Sequence, residues 1–337
     1  MTGSDPNGGA GRRSSPPRRT PADDATLALL LEVAGTPKPG NVDRERDLTD
    51  LRFESFLGGA VGARDGLERA ERGEPVGVAF ERAVAGMADR AGTNTQFGCL
   101  LLLIPLIKAT VDGDRSVNGD RSVDGDRSVD GDCSRTDVDR VTRDTTVDDA
   151  VAFYTAFEHV DVAVGEPPAD AADLDVRRGR TVEATLRDRG LTLRDVLALG
   201  AGSDDERGEP ESIPDRNAQE WMEGFPRTFR AAERIAADEG PVVDRAARAF
   251  ITLLAAEPDT LVATNHGPDV AREASRRAAE LVDGDDTDAP LADRIDLDAA
   301  ERLADAFVEE GINPGTTADL TCAALYVALR RGVEVRA

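Results

Sequence analysis

The chain has 337 residues, 40% of them hydrophobic, enough for one large core or two modest ones and too apolar for a chain disordered throughout. Its 66 acidic residues outnumber 41 basic ones, for a net charge of −25. This excludes the basic stripe that a nucleic-acid partner requires. Lysine occurs only at positions 38 and 108, arginine supplying the remaining positive charge. Such an acidic, lysine-poor composition points to a salt-saturated cytoplasm, where Asp and Glu keep a surface hydrated.

In chain order, residues 1–22 read as a disordered tail. No apolar stretch separates Arg12-Arg13 from Asp23 and Asp24, so a twin-arginine signal is not expected. From residue 23 to 337 the patterning predicts one all-α, multi-helix domain. Ala25 to Gly35 forms a short apolar helix stopped by the Pro37-Pro39 turn. Phe53 to Arg72 and Val78 to Ala91 carry apolar residues at three- and four-residue spacing, each followed by glycine. Thr95 to Lys108 is apolar nearly all round and is predicted to run through the middle of the core. Its strongest stretch, Cys99 to Ile107, is about half the length needed to cross a bilayer, so no membrane partner is expected.

Between Val111 and Ser134 a Val-Asp-Gly-Asp-Arg-Ser hexapeptide recurs, acidic and too polar to bury a core. Residues 111–145 are therefore predicted to be a disordered insertion, and the repeat lacks the distal glutamate of a calcium loop. Thr146 followed by Asp148 and Asp149 reads as a helix N-cap, with the helix continuing to His159. Residues 200–215 read as a loop. Helices are then predicted over Gln219–Asp238, Pro241–Ala256, Pro268–Val282, Leu297–Glu310 and Thr317–Arg331. No segment alternates β-branched and polar residues, and aromatics are only 4%, so a sheet has little support. Cys99, Cys133 and Cys322 lack metal-type spacing and fit a reducing, cytoplasmic setting.

Four polar turns punctuate the helices: Pro37 to Arg44, Gly92 to Gln96, Ala263 to Gly267, and Asn313 to Asp319. Each lies next to a predicted helix N-terminus, where free N–H groups and the dipole favour anions. Lys38, in a rigid Pro-x-Pro-Gly turn with Gly40, Asn41, Asp43 and Arg44, points to an anionic ligand. The alternative is plain capping, since Asn, Thr, Asp, Pro and Gly are what helix ends need. His266 has two readings: proton transfer or phosphate contact, and a histidine bonding carbonyls at a helix C-terminus. His159 reads as a packing or surface residue. There is no Walker loop, Rossmann fingerprint, nucleophile elbow or metal-ligand histidine pair.

Thr36-Pro37-Lys38-Pro39-Gly40-Asn41-Val42-Asp43-Arg44, Phe53 through Leu57, Gly92-Thr93-Asn94-Thr95, Asp259-Thr260-Leu261 and Asn313-Pro314-Gly315-Thr316-Thr317-Ala318-Asp319-Leu320 together resemble the triphosphoribosyl-dephospho-CoA synthase family, in order and spacing, across nearly the whole folded chain. The resemblance implies an all-helical enzyme that transfers the triphosphoribosyl part of ATP to the ribose 2′-hydroxyl of dephospho-CoA and releases adenine. ATP is then a substrate and Mg²⁺ its companion. The reaction needs a base, hydrogen bonding for the departing adenine and a clamp on the phosphates. On that reading Lys38 and Arg44 hold phosphate oxygens, helped by Gly40, Asn41, Thr95, Gly315, Thr316 and Thr317. Asp43 and Asp319 bind Mg²⁺ or act as base, His266 is a further catalytic candidate, and Asn94 and Asn265 orient ribose or adenine. Many bacterial members carry His-Lys directly after the Asn-Thr of the second motif, where this chain has Gln96-Phe97. That departure keeps open a related transferase with a different acceptor; the capping alternative keeps open a helical binding or scaffold protein.

Overall fold

The structure, a computed structural model, describes residues 19–119, 133–202, 213–284 and 289–335. Helix α1 (Pro21–Ala34) starts inside the stretch expected to be tail. Proline stands at its first position, and Thr20 and Asp23 form a reciprocal capping box. Helices α2 (Phe53–Arg72) and α3 (Val76–Ala91) follow and pack on each other, both closing on left-handed glycines, Gly73 and Gly92. Helix α4 (Phe97–Gly119) runs past Lys108 into the repeat. Helix α5 (Arg135–Arg143) lies in what was expected to be the disordered insertion. Ser134 caps it, and Val138 and Val141 are buried, which holds it in place. The expectations for residues 1–18, 120–132 and 203–212 lie outside the described residues.

Helix α6 (Val147–Ala156) begins at the predicted Thr146 cap. Two short 3₁₀ segments then lead into α7 (Glu183–Arg189) and α8 (Leu193–Ala201). The single helix expected over Gln219–Asp238 is two, α9 (Arg216–Glu223) and α10 (Pro226–Ala237). They break at Gly224 and Phe225, both left-handed, because Pro226 can only begin a helix there. Helices α11 (Val242–Ala256), α12 (Thr260–His266), α13 (Pro268–Ala279), α14 (Leu297–Glu310) and α15 (Gly315–Arg330) complete the order. The polar segment Ala263 to Gly267 is thus mostly the end of α12 rather than a turn before a helix. Among the described residues there is no strand, only an isolated bridge between Val282 and Ile295, and the fold is all-α. None of these helices is long and apolar enough to cross a membrane.

Two helices form the interior. In α4, Leu100, Leu102, Leu103, Ile104, Leu106 and Ile107 are completely buried, each contributing on the order of 1.5–3 kcal/mol. Helix α15 is buried over almost its whole circumference and packs against α1, α4, α9, α10, α11 and α12. Deep between them the Thr110 and Tyr326 hydroxyls satisfy each other, 2.8 Å apart. Helix α15 therefore carries its N-terminal motif into the centre of the molecule.

Candidate active site

The turn after α1 folds inward. Lys38 is fully buried, its ammonium paired with Glu32 from the last turn of α1 and 3.0 Å from Asn41 Oδ1. The face of Phe250 lies 5.9 Å away. Burial pushes the Glu32 carboxyl up, and the Lys38 charge opposes that shift. In this structure the Lys38 ammonium is engaged by Glu32 and Asn41 and closed off from solvent, where the resemblance implies that it holds phosphate oxygens.

Asp43 is also fully buried and serves as the acceptor that shapes this turn. Its carboxylate takes hydrogen bonds from Thr36 Oγ1 at 2.9 Å, the Lys38 amide at 3.1 Å, the Glu45 amide at 2.8 Å and the Arg46 guanidinium at 3.2 Å. Three of these donors meet Oδ2 and one meets Oδ1, so the carboxylate is engaged chiefly in shaping the turn. Arg46 pairs with Glu301 and Asp305 as well as Asp43, while Arg44 is exposed. Among the described residues no group of three or more His, Cys, Asp or Glu side chains is arranged to hold a metal ion.

The first and last motifs meet. Asn41 Nδ2 donates to Asn313 Oδ1 at 2.8 Å. Gly40, at φ 73°, lies so close to Ile312 that a Cβ would strike its carbonyl oxygen and come within 2.9 Å of Phe307 Cβ. The first turn of α15 is tied to the N-cap of α12: buried Asp259 accepts from the Thr317 amide and hydroxyl, both at 2.7 Å, and from the Val262 amide at 3.1 Å. Burial raises the Asp259 carboxyl, and the Thr317 donors counter it. Gly315 packs against Leu261, while Thr316 and Thr317 also line a cavity of about 240 Å³.

One turn into α15, Asp319 stands where α4, α9 and α15 meet. Asn217 Nδ2 donates to its Oδ2 at 2.8 Å and the Cys99 thiol to its Oδ1 at 3.3 Å. Gly98 makes the approach possible, since a Cβ there would overlap the carboxyl and sit 2.7 Å from Asn217 Nδ2. Burial pushes the Asp319 carboxyl up to about 7, the Asn217 and Cys99 hydrogen bonds pull the other way, and the charges of Asp259 and Glu32 add to the rise. Cys99 stays a thiol, held well above its usual value by its contact with Cys322 and by burial. A carboxyl with one foot in each protonation state near neutrality can both take and give a proton.

The remaining candidates fall outside this centre. Asn94 caps α4 through a 3.2 Å bond from the Phe97 amide, and the Thr95 hydroxyl is buried without a hydrogen-bond partner. Gln96 is buried, with Nε2 3.4 Å from the Leu29 carbonyl, and Phe97 packs edge-on against Phe80 and Phe157 at 5.1 and 4.8 Å. Asn265 is exposed near the C-terminal end of α12, and exposed His266 bonds the Gly311 carbonyl at 3.0 Å. That contact matches the reading of His266 as a histidine bonding a carbonyl at a helix end.

Glu32, Asn217 and Asp259 contribute most to the site beyond the predicted residues, together with Arg216, Arg227, Arg230 and Arg234 along the cavity. A signal for them existed. Arg227, Arg230 and Arg234 recur at three- and four-residue spacing, and Arg216-Asn217 opens a helix whose inward side is polar.

Residues 18–336 match the model of the ATP:dephospho-CoA triphosphoribosyl transferase family. No curated protein matches the chain. Among solved structures, one from Archaeoglobus fulgidus, provisionally assigned as a triphosphoribosyl-dephospho-CoA synthase, aligns with a TM-score of 0.58 at 20% identity. The alignment covers 83% of this chain and 100% of that one. At that identity the likeness is one of fold. With an all-helical frame, its end motifs interlocked, and a family match running almost from end to end, the chain belongs to the ATP:dephospho-CoA triphosphoribosyl transferase family.

Proposed function

We propose that this protein transfers the triphosphoribosyl group of ATP to the ribose 2′-hydroxyl of dephospho-CoA, with Asp319 as the proton-handling group. The observation that supports this reading is the Asp319 carboxyl, gripped by Asn217 and Cys99 and pushed up to about 7. In the reaction the 2′-oxygen forms a bond to C1′ of the ATP ribose and the C1′–N9 bond breaks. The hydroxyl proton passes to the ionised Asp319 and is returned to the departing adenine, so charge and atoms balance. The transition state at C1′ is oxocarbenium-like as the C1′–N9 bond breaks. Mg²⁺ enters with ATP on its phosphate oxygens, as part of the substrate.

The assay is chromatographic detection of free adenine after incubation with ATP and dephospho-CoA in high salt. Adenine should appear only when both substrates are present and should be lost in Asp319→Asn. Full adenine release by that variant sinks the assignment.

A further inference from the structure

We propose that the cavity between α9, α10, α11 and the first turn of α15 is a polyphosphate site, with Arg230 and Arg234 as its anion-binding residues. Arg216, Arg227, Arg230 and Arg234 line it together with Glu257 and Asp259, and Thr316 lies at the first turn of α15, whose Thr317 amide and hydroxyl are already bonded to Asp259. Two of these arginines are already matched. Arg216 and Arg227 both pair with Glu257, at 3.1 and 3.0 Å, and Arg227 also faces Glu220 and Glu223.

The other two are not matched. Among the described residues neither Arg230 nor Arg234 has a carboxylate partner, and neighbouring Arg294 is bonded only to the carbonyls of Asp283 and Gly284. Burial and the charges of Arg294 and Arg230 push the Arg234 guanidinium down, the mark of cations gathered without a counter-ion. In a chain of net charge −25, Arg230 and Arg234 stand one turn apart on one helix, both lining the cavity and neither bonded to an acid, and this grouping calls for an anion from outside. Its volume, about 240 Å³, lies below the roughly 300–1,000 Å³ that enclose a whole drug-sized ligand. A phosphate chain fits; a complete nucleotide extends beyond it.

The proposal rests on the transferase reading only for which substrate carries the phosphates, since ATP brings a triphosphate and dephospho-CoA a diphosphate. Inorganic tripolyphosphate is the probe. Titration calorimetry should show saturable binding to the parent protein, at least about tenfold weaker in Arg230→Gln/Arg234→Gln and unchanged in Arg277→Gln, which lies elsewhere against Glu310 and Phe307. Tripolyphosphate should also protect Arg230 and Arg234 of the parent from phenylglyoxal, read by mass spectrometry, which decides the matter if the double variant does not fold.

In turnover, a raised KM for ATP alone assigns the site to the triphosphate, and a raised KM for dephospho-CoA alone assigns it to the acceptor's diphosphate. Absent binding to the parent, unaltered affinity in the folded double variant or no protection overturns the site. Binding without any adenine release keeps the site and overturns the transferase reading instead.

Discussion

Replacing Asp319 by Asn should make the protein more stable as the pH rises while abolishing its activity. The carboxyl is raised from 3.8 to about 7 in the folded state, so its neutral form is the one that folding favours. Its stability contribution is complete below the unfolded value and is lost as the pH climbs from about 4 through about 7. A rise of that size corresponds to about 4 kcal/mol, the cost of keeping an ionised Asp319 buried at pH 8. Asparagine fills the same space, keeps an acceptor for Asn217 and does not ionise. Urea unfolding of parent and Asp319→Asn in one salt buffer from pH 4 to pH 8 is the test. The variant's advantage should be near zero at the acid end and grow towards about 4 kcal/mol at the alkaline end. A difference that stays flat with pH refutes the buried, raised carboxyl, and with it the reason for making Asp319 the proton-handling group.

Lys38→Met strands the buried Glu32 carboxylate and should cost about 3–5 kcal/mol in urea unfolding at pH 8. Since Glu32 is already raised by burial, the loss should shrink in acid, and Glu32→Gln/Lys38→Met should recover much of it. Gly40→Ala must accept φ 73° and a collision with Ile312, so a loss of at least about 2 kcal/mol is expected in the same assay. With a net charge of −25, the folded chain repels itself, and its melting temperature should rise with added KCl as that repulsion is screened.

Much of the architecture could be read from spacing. Phe53–Arg72 and Leu297–Glu310 are helices over the predicted residues, because three- and four-residue apolar spacing and glycine stops are local signals. The Thr146 cap was equally visible in its own neighbours. The break between α9 and α10 was signalled by Gly224 and Pro226, but the apolar pattern continues across it. Helix α5 was hidden because its polar sequence is stabilised by what it packs on.

Local composition singles out two segments, the turn holding Gly40 and Asn41 and the α15 motif holding Thr317 and Asp319. The partners each side chain meets come from packing. Scarcity made Lys38 conspicuous, yet whether it faces a ligand or a buried Glu32 depends on how α1 and its following turn close over it. The titration of Asp319 depends on Gly98, Cys99 and Asn217, distant in the chain, and on the distant charges of Glu32 and Asp259. Arg230 and Arg234 recur along one side of α10, and the fold brings them to a common cavity with the first turn of α15. Hydrophobic period and caps act over a few residues, whereas a charge's energy is set by whatever excludes water and supplies partners around it, and those groups are brought together only by the fold.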